Sequence, residues 1–168
     1  MVEGARSKFA LDSIKLHDLA DVRVVALEES TAFLVEQPLT DTANENSCTL
    51  TYFEVGPHTI RLGLVNAIVM QYLSEPFFNE LRTQQQLGYV VSSREAATRN
   101  VLGNRFLIQS PKHACEYLVH KINDFLVEVH AKLQSGGLTD EEFETQKKSV
   151  LTNLKEKDVN LQEEHARH

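Results

Sequence analysis

At 168 residues the chain has the size of one domain with a buried core, and 42% hydrophobic against 24% charged residues is an ordinary globular composition. A formal charge of −7 argues against nucleic acid as the main partner, because gripping phosphates needs a basic face. No apolar run reaches the length of a membrane span, so no membrane role is expected, and the N-terminus lacks the charged-then-apolar pattern of a secretory signal.

Residues 1–21 mix charge with scattered Leu, Ile and Phe and are read as a lead-in from a preceding domain, with the domain proper at 22–168. The β-rich runs 22–27 and 32–35, separated by Glu28-Glu29-Ser30-Thr31, predict a hairpin. Residues 38–46 are polar and turn-rich and read as a surface loop. A strand is expected over 48–55, broken by Gly56-Pro57. Leu64, Val65, Ile68, Val69, Tyr72 and Leu73 recur at helical spacing and predict an apolar stripe.

A second helix start is read at Ser74-Glu75-Pro76, since a hydroxyl caps free N–H groups and proline is tolerated in the first turn. Phe77, Phe78 and Leu81 then share a face, Arg82 follows near the helix end, and Gly88 is the expected left-handed terminator before Tyr89 opens a strand. Strands over 89–95 and 102–110 follow, with Leu102, Phe106 and Ile108 on one face and Arg105 and Gln109 on the other. Ser110-Pro111 opens a helix whose stripe is Cys115, Leu118, Ile122, Phe125, Leu126, Val129 and Leu133, ended by Gly136-Gly137. Thr139 and Glu142 form a capping box for a last helix carrying Phe143, Val150, Leu151 and Leu154. Asn160 with Glu163 reads as another helix start shortly before His168, so the domain is expected to be incomplete at its C-terminus. The fold class is therefore α+β: a mainly antiparallel sheet with helices packed on one face. Uncovered apolar surface and open strand edges would then favour a homo-oligomer.

The stretch Ser-Glu-Pro-Phe-Phe-Asn-Glu-Leu-Arg-Thr-Gln-Gln-Gln-Leu-Gly-Tyr at 74–89 resembles the R-x-x-x-Q-L-G-Y segment of insulin-degrading enzyme and other pitrilysin-type inverzincin metalloproteases. Those proteins are built from four related α+β domains, and this signature belongs to the half that carries no zinc. The resemblance continues more weakly from about Val22 to the last residue. It implies a zinc metalloendopeptidase as the full-length protein, with peptide substrates and with zinc held by the N-terminal catalytic half of the same protein. It also implies that Arg82 and Tyr89 reach across to that zinc site. Gln85 departs from the Glu often found in relatives, which bears on local charge balance. The alternative within the same fold is a non-catalytic structural or interaction subunit.

The family's H-x-x-E-H motif, two zinc-binding histidines flanking a general-base glutamate, is absent from these residues, so the chain alone should be inactive. Leu161-Gln162-Glu163-Glu164-His165 comes nearest but places a leucine where the first ligand must stand. His113 and His120 are two turns apart, roughly 10 Å along a helix, too far to share one metal. His165 and His168 lie one turn apart but lack a third ligand. Cys48 and Cys115 read as buried thiols of a reducing, cytoplasmic setting, Cys115 packing in the core. Arg82 is a permanent cation with several donors and the Tyr89 phenol is also a donor, so together they suit the carbonyl oxygens of a peptide, including one that becomes an oxyanion. From the residues alone a plainer role stands beside it: Arg82 complements the helix's negative end while Tyr89 packs at a strand edge.

Overall fold

The computed structural model describes residues 24, 28, 30–41 and 43–156. Strand β1 (Ser47–Pro57) leads into helix α1 (Ile60–Phe78), which runs directly into a π-helical turn (Asn79–Gln84). Strands β2 (Val90–Thr98) and β3 (Val101–Ser110) follow, then helices α2 (Cys115–Gln134) and α3 (Asp140–Lys155). The three strands form an antiparallel sheet in the order β1-β3-β2, so β3 is central. This is the expected α+β layering, with the helices on one face.

The core lies between that face and the helices. Phe106 and Ile108 of β3 and Val91 of β2 meet Met70, Leu73, Phe77 and Leu81 from α1 and its π-helical extension. Leu118, Ile122 and Phe125 close the cluster from α2. Phe77 is its centre: its ring lies 5.2 Å from Phe106 and 5.3 Å from Phe125, centroid to centroid. Leu102, Phe106 and Ile108 are all buried and Arg105 is exposed, as strand alternation demands. A polar seam crosses the same layer. Asn66 and Asn104 donate to each other's side-chain oxygens at 3.0 and 2.8 Å, and Asn66 also donates to Glu95 at 3.1 Å. Desolvation raises the Glu95 carboxyl above its ordinary range, partly offset by that Asn66 bond.

Several expectations are corrected. Ser74 caps nothing, because α1 begins at Ile60, with the Thr59 hydroxyl accepting the Leu62 N–H at 3.1 Å, and continues through Pro76. The buried face of α1 is Asn66, Met70, Leu73 and Phe77, while Leu64, Val65 and Val69 are exposed. Apolar residues surround that helix, and the inward face is set by where Phe77 must sit rather than by the richest stripe. β1 persists through Gly56 by a bulge at Val55, with Gly56 at φ 134°, a value that favours glycine. Residues 32–35 form no strand, and Phe33, Leu34 and Val35 are exposed; the partner run 22–27 lies outside the described residues apart from Val24. The lead-in at 1–21 and the helix start at Asn160 are outside them as well. Cys48 and Cys115 are exposed rather than buried, and on α3 only Val150 of the expected stripe is buried.

The capping box forms as expected: the Thr139 hydroxyl accepts the Glu142 N–H at 3.2 Å and the Glu142 carboxylate accepts the Thr139 N–H at 2.9 Å. The backbone bond from Thr139 and then its hydroxyl hold the Glu142 carboxyl below its usual range. A depressed carboxylate contributes stability that is present above the unfolded value and lost as pH falls through the folded one. Melting curves of wild type and Glu142→Gln should therefore differ at neutral pH and converge in acid, below the ordinary glutamate range. Phe77→Ala should cost about 3–5 kcal/mol in urea unfolding, because the fully buried ring leaves a cavity between two others.

Candidate functional site

Arg82 and Tyr89 come together at one end of the sheet, and the route there starts at Pro76. Proline removes an N–H from the helical ladder, and soon after it the backbone widens to π spacing, with the Gln85 N–H on the Glu80 carbonyl at 2.9 Å. The widened turn is closed by the Leu87 N–H on the Leu81 carbonyl at 2.9 Å. Gln86 supplies the left-handed residue of that closure, at φ 53°. The expected terminator, Gly88, is not in a left-handed conformation. Glycine is needed at 88 for a different reason: a Cβ there would lie inside the van der Waals shell of the Gln109 carbonyl oxygen. The chain thus passes flat against β3, with Leu81 and Leu87 buried on either side of the turn.

This path delivers the Arg82 guanidinium over two rings. Its central carbon lies 5.3 Å from the Tyr89 ring centroid and 5.5 Å from that of Phe78, within cation–π range of both. Tyr89 is 81% exposed. Among the described residues neither the guanidinium nor the Tyr89 hydroxyl has a hydrogen-bond or carboxylate partner, and Arg82 is half-buried. A cleft of about 450 Å³ opens beside them, lined by Arg82, Gln86, Gly88, Tyr89, Pro111 and Lys112 among others. Gln85 donates its side-chain amide to Glu80 at 2.8 Å. The departure at 85 therefore occupies the nearby carboxylate with a neutral partner, where a glutamate would face it with a like charge.

Phe78, Pro111 and Lys112 were not among the sequence candidates. Phe78 stands four residues before Arg82, a spacing that brings side chains together on a helix. Lys112 has no local signal. It reaches the cleft because Gly88 packs on Gln109 and the Ser110 hydroxyl accepts the N–H groups of Lys112 and His113, at 3.1 Å each, turning the chain back. His113 stacks on Tyr117 with ring centroids 5.0 Å apart. Among the described residues no three His, Cys, Asp or Glu side chains gather as a metal site; the His165 and His168 pair lies outside them.

Residues 68–168 match the family described as PQQ synthase PqqF-like, C-terminal lobe domain 4. The chain belongs to this family. The chain is 33% identical over 147 residues to the A-factor-processing enzyme of Saccharomyces cerevisiae, covering 88% of this chain and 14% of that protein. It is 31% identical over 147 residues to human insulin-degrading enzyme, covering 86% of this chain and 13% of the relative. The crystal structure of pitrilysin superposes on 73% of the chain with a TM-score of 0.60 at 25% identity, covering 13% of the pitrilysin chain. The chain thus spans about an eighth of these relatives' length and is homologous to the C-terminal region of M16 metallopeptidases.

Two substitutions separate the roles assigned to the turn. Gly88→Ala should destabilise the fold by about 1–3 kcal/mol, as overpacking against a backbone carbonyl does. Gln86→Gly, at the left-handed position, should leave stability within about 1 kcal/mol of wild type. Equal tolerance at both sites in urea unfolding would show that Gly88 does not set the close approach.

Proposed function

We propose that this chain is the zinc-free C-terminal module of a cytoplasmic zinc metalloendopeptidase that degrades peptides. It forms part of the chamber wall and presents Arg82 and Tyr89 to a peptide held by the N-terminal catalytic half of the same protein, where the zinc would reside. The observation that carries this is the Arg82–Tyr89 pair itself: two donors stacked against each other at the mouth of a cleft, with no partner among the described residues.

The two donors have unlike chemistry. A guanidinium is charged at any working pH and forks its N–H groups, so it binds ground-state carbonyl oxygens as well as anions. A phenol is a single neutral donor whose hydrogen bond strengthens most when the accepting oxygen gains negative charge. Stacking narrows the orientations open to the guanidinium and so lowers the ordering cost of binding. The pair therefore suits a peptide carbonyl on its way to an oxyanion, with Arg82 contributing to binding and Tyr89 chiefly to the transition state.

Steady-state kinetics on the intact protein test this. Tyr89→Phe keeps the ring under Arg82 and removes one hydroxyl, so kcat should fall about 10²-fold with little change in KM. Arg82→Ala should lower kcat/KM by a comparable factor, with a larger share in KM. Both variants should melt near wild type, because Tyr89 is largely exposed and Arg82 packs only at the surface. Full activity in Tyr89→Phe, or a collapsed melting temperature in either variant, would refute the assignment.

A further inference from the structure

Cys48 and Cys115 are 67 residues apart in sequence, but the fold brings them side by side. Cys48 lies near the start of β1, an outer strand of the sheet among the described residues, and Cys115 is the first residue of α2. The Cys115 thiol donates to the Cys48 carbonyl with a sulfur-to-oxygen distance of 3.6 Å, and the Thr49 hydroxyl donates to the Cys115 carbonyl at 3.3 Å. The two backbones are thus clasped to each other at the cysteines. Both residues are free and exposed, so a dissolved oxidant reaches them. Cys115 also ends the segment that turns at Ser110 and lends Pro111 and Lys112 to the rim of the cleft.

We propose that Cys48 and Cys115 are a dithiol that hydroperoxides oxidise to an intramolecular disulfide, and that the closed bond tethers the Pro111–Lys112 rim. The Cys115 sulfur attacks the peroxide, the O–O bond breaks, an alcohol (water from hydrogen peroxide) leaves, and Cys115 becomes a sulfenic acid. The Cys48 sulfur then attacks the Cys115 sulfur, the S–O bond breaks, and water departs with the Cys48 proton. Two thiols lose two electrons and two protons in all, and the peroxide gains them. Desolvation, and then the neighbouring Cys115 sulfur, raise the Cys48 thiol above its ordinary range, which makes Cys48 a poor first nucleophile and suits it to the second, resolving step. A disulfide holds its two Cα atoms about 4.4–6.8 Å apart, so its formation fixes the start of α2 to β1. The pair is independent of what the cleft binds.

Peroxide titration with thiol alkylation and non-reducing peptide mapping tests the chemistry. The expected product is a monomer 2 Da lighter carrying a Cys48–Cys115 cross-link that dithiothreitol reverses. In Cys48→Ser the reaction should stop at a sulfenic acid on Cys115, trapped by dimedone as one adduct, while Cys115→Ser should give none at Cys48. Amide hydrogen exchange at 112–115 should slow on oxidation in wild type and not in either variant. Cross-links between copies, or over-oxidation of both sulfurs without a cross-link, would overturn the proposal. A cross-link with unchanged exchange at 112–115 would overturn the tether.

Discussion

Gly88 against the Gln109 carbonyl is the contact on which the candidate site depends. It allows the chain leaving the π-helical turn to lie directly on β3, with no side chain between them. Leu81 and Leu87 are then drawn into the core, and the next residue, Tyr89, projects into solvent beside Arg82. On the other side of the same contact the chain leaves β3 and turns at Ser110, which brings Pro111 and Lys112 to the cleft. One missing Cβ thus sets the spacing of residues drawn from two separate parts of the sequence.

The core holds that contact from below. Phe77 and Leu81 anchor the end of the long helix, and the ring contacts with Phe106 and Phe125 fix it to the central strand and to α2 at once. Because the anchor lies directly under the π-helical turn, burial that stabilises the domain also orients Arg82. The widened backbone is then part of the site's construction, which agrees with the frequent location of π-bulges at functional positions.

How much could be read from sequence depended on the range of the interaction. Thr139 and Glu142 announce their capping box because both partners are local, and the alternation over 102–108 announces the buried face of β3 because sheet periodicity is two. Arg82 and Tyr89 were legible as a pair of donors, but their stacking was not: it follows from π spacing that no propensity signals. Gly88 was legible as a necessary glycine and assigned the wrong cause, since a close backbone approach and a left-handed turn leave the same letter in a sequence. The face of α1 was misread because exposed Leu64, Val65 and Val69 outweigh a buried Asn66, whose reason for burial is Asn104, distant in the chain. The exposure of Cys48 and Cys115, and their adjacency, depend on long-range packing in the same way.

The central claim is that Arg82 and Tyr89 together grip a peptide carbonyl. The most direct measurement is a structure of the intact protein with a cleavage-resistant peptide bound. The account predicts one peptide carbonyl oxygen about 2.7–3.1 Å from the Tyr89 hydroxyl, with an Arg82 N–H on that oxygen or on a neighbouring carbonyl. A bound peptide that leaves both side chains in solvent, or finds them bonded only to the protein's own backbone, would contradict it.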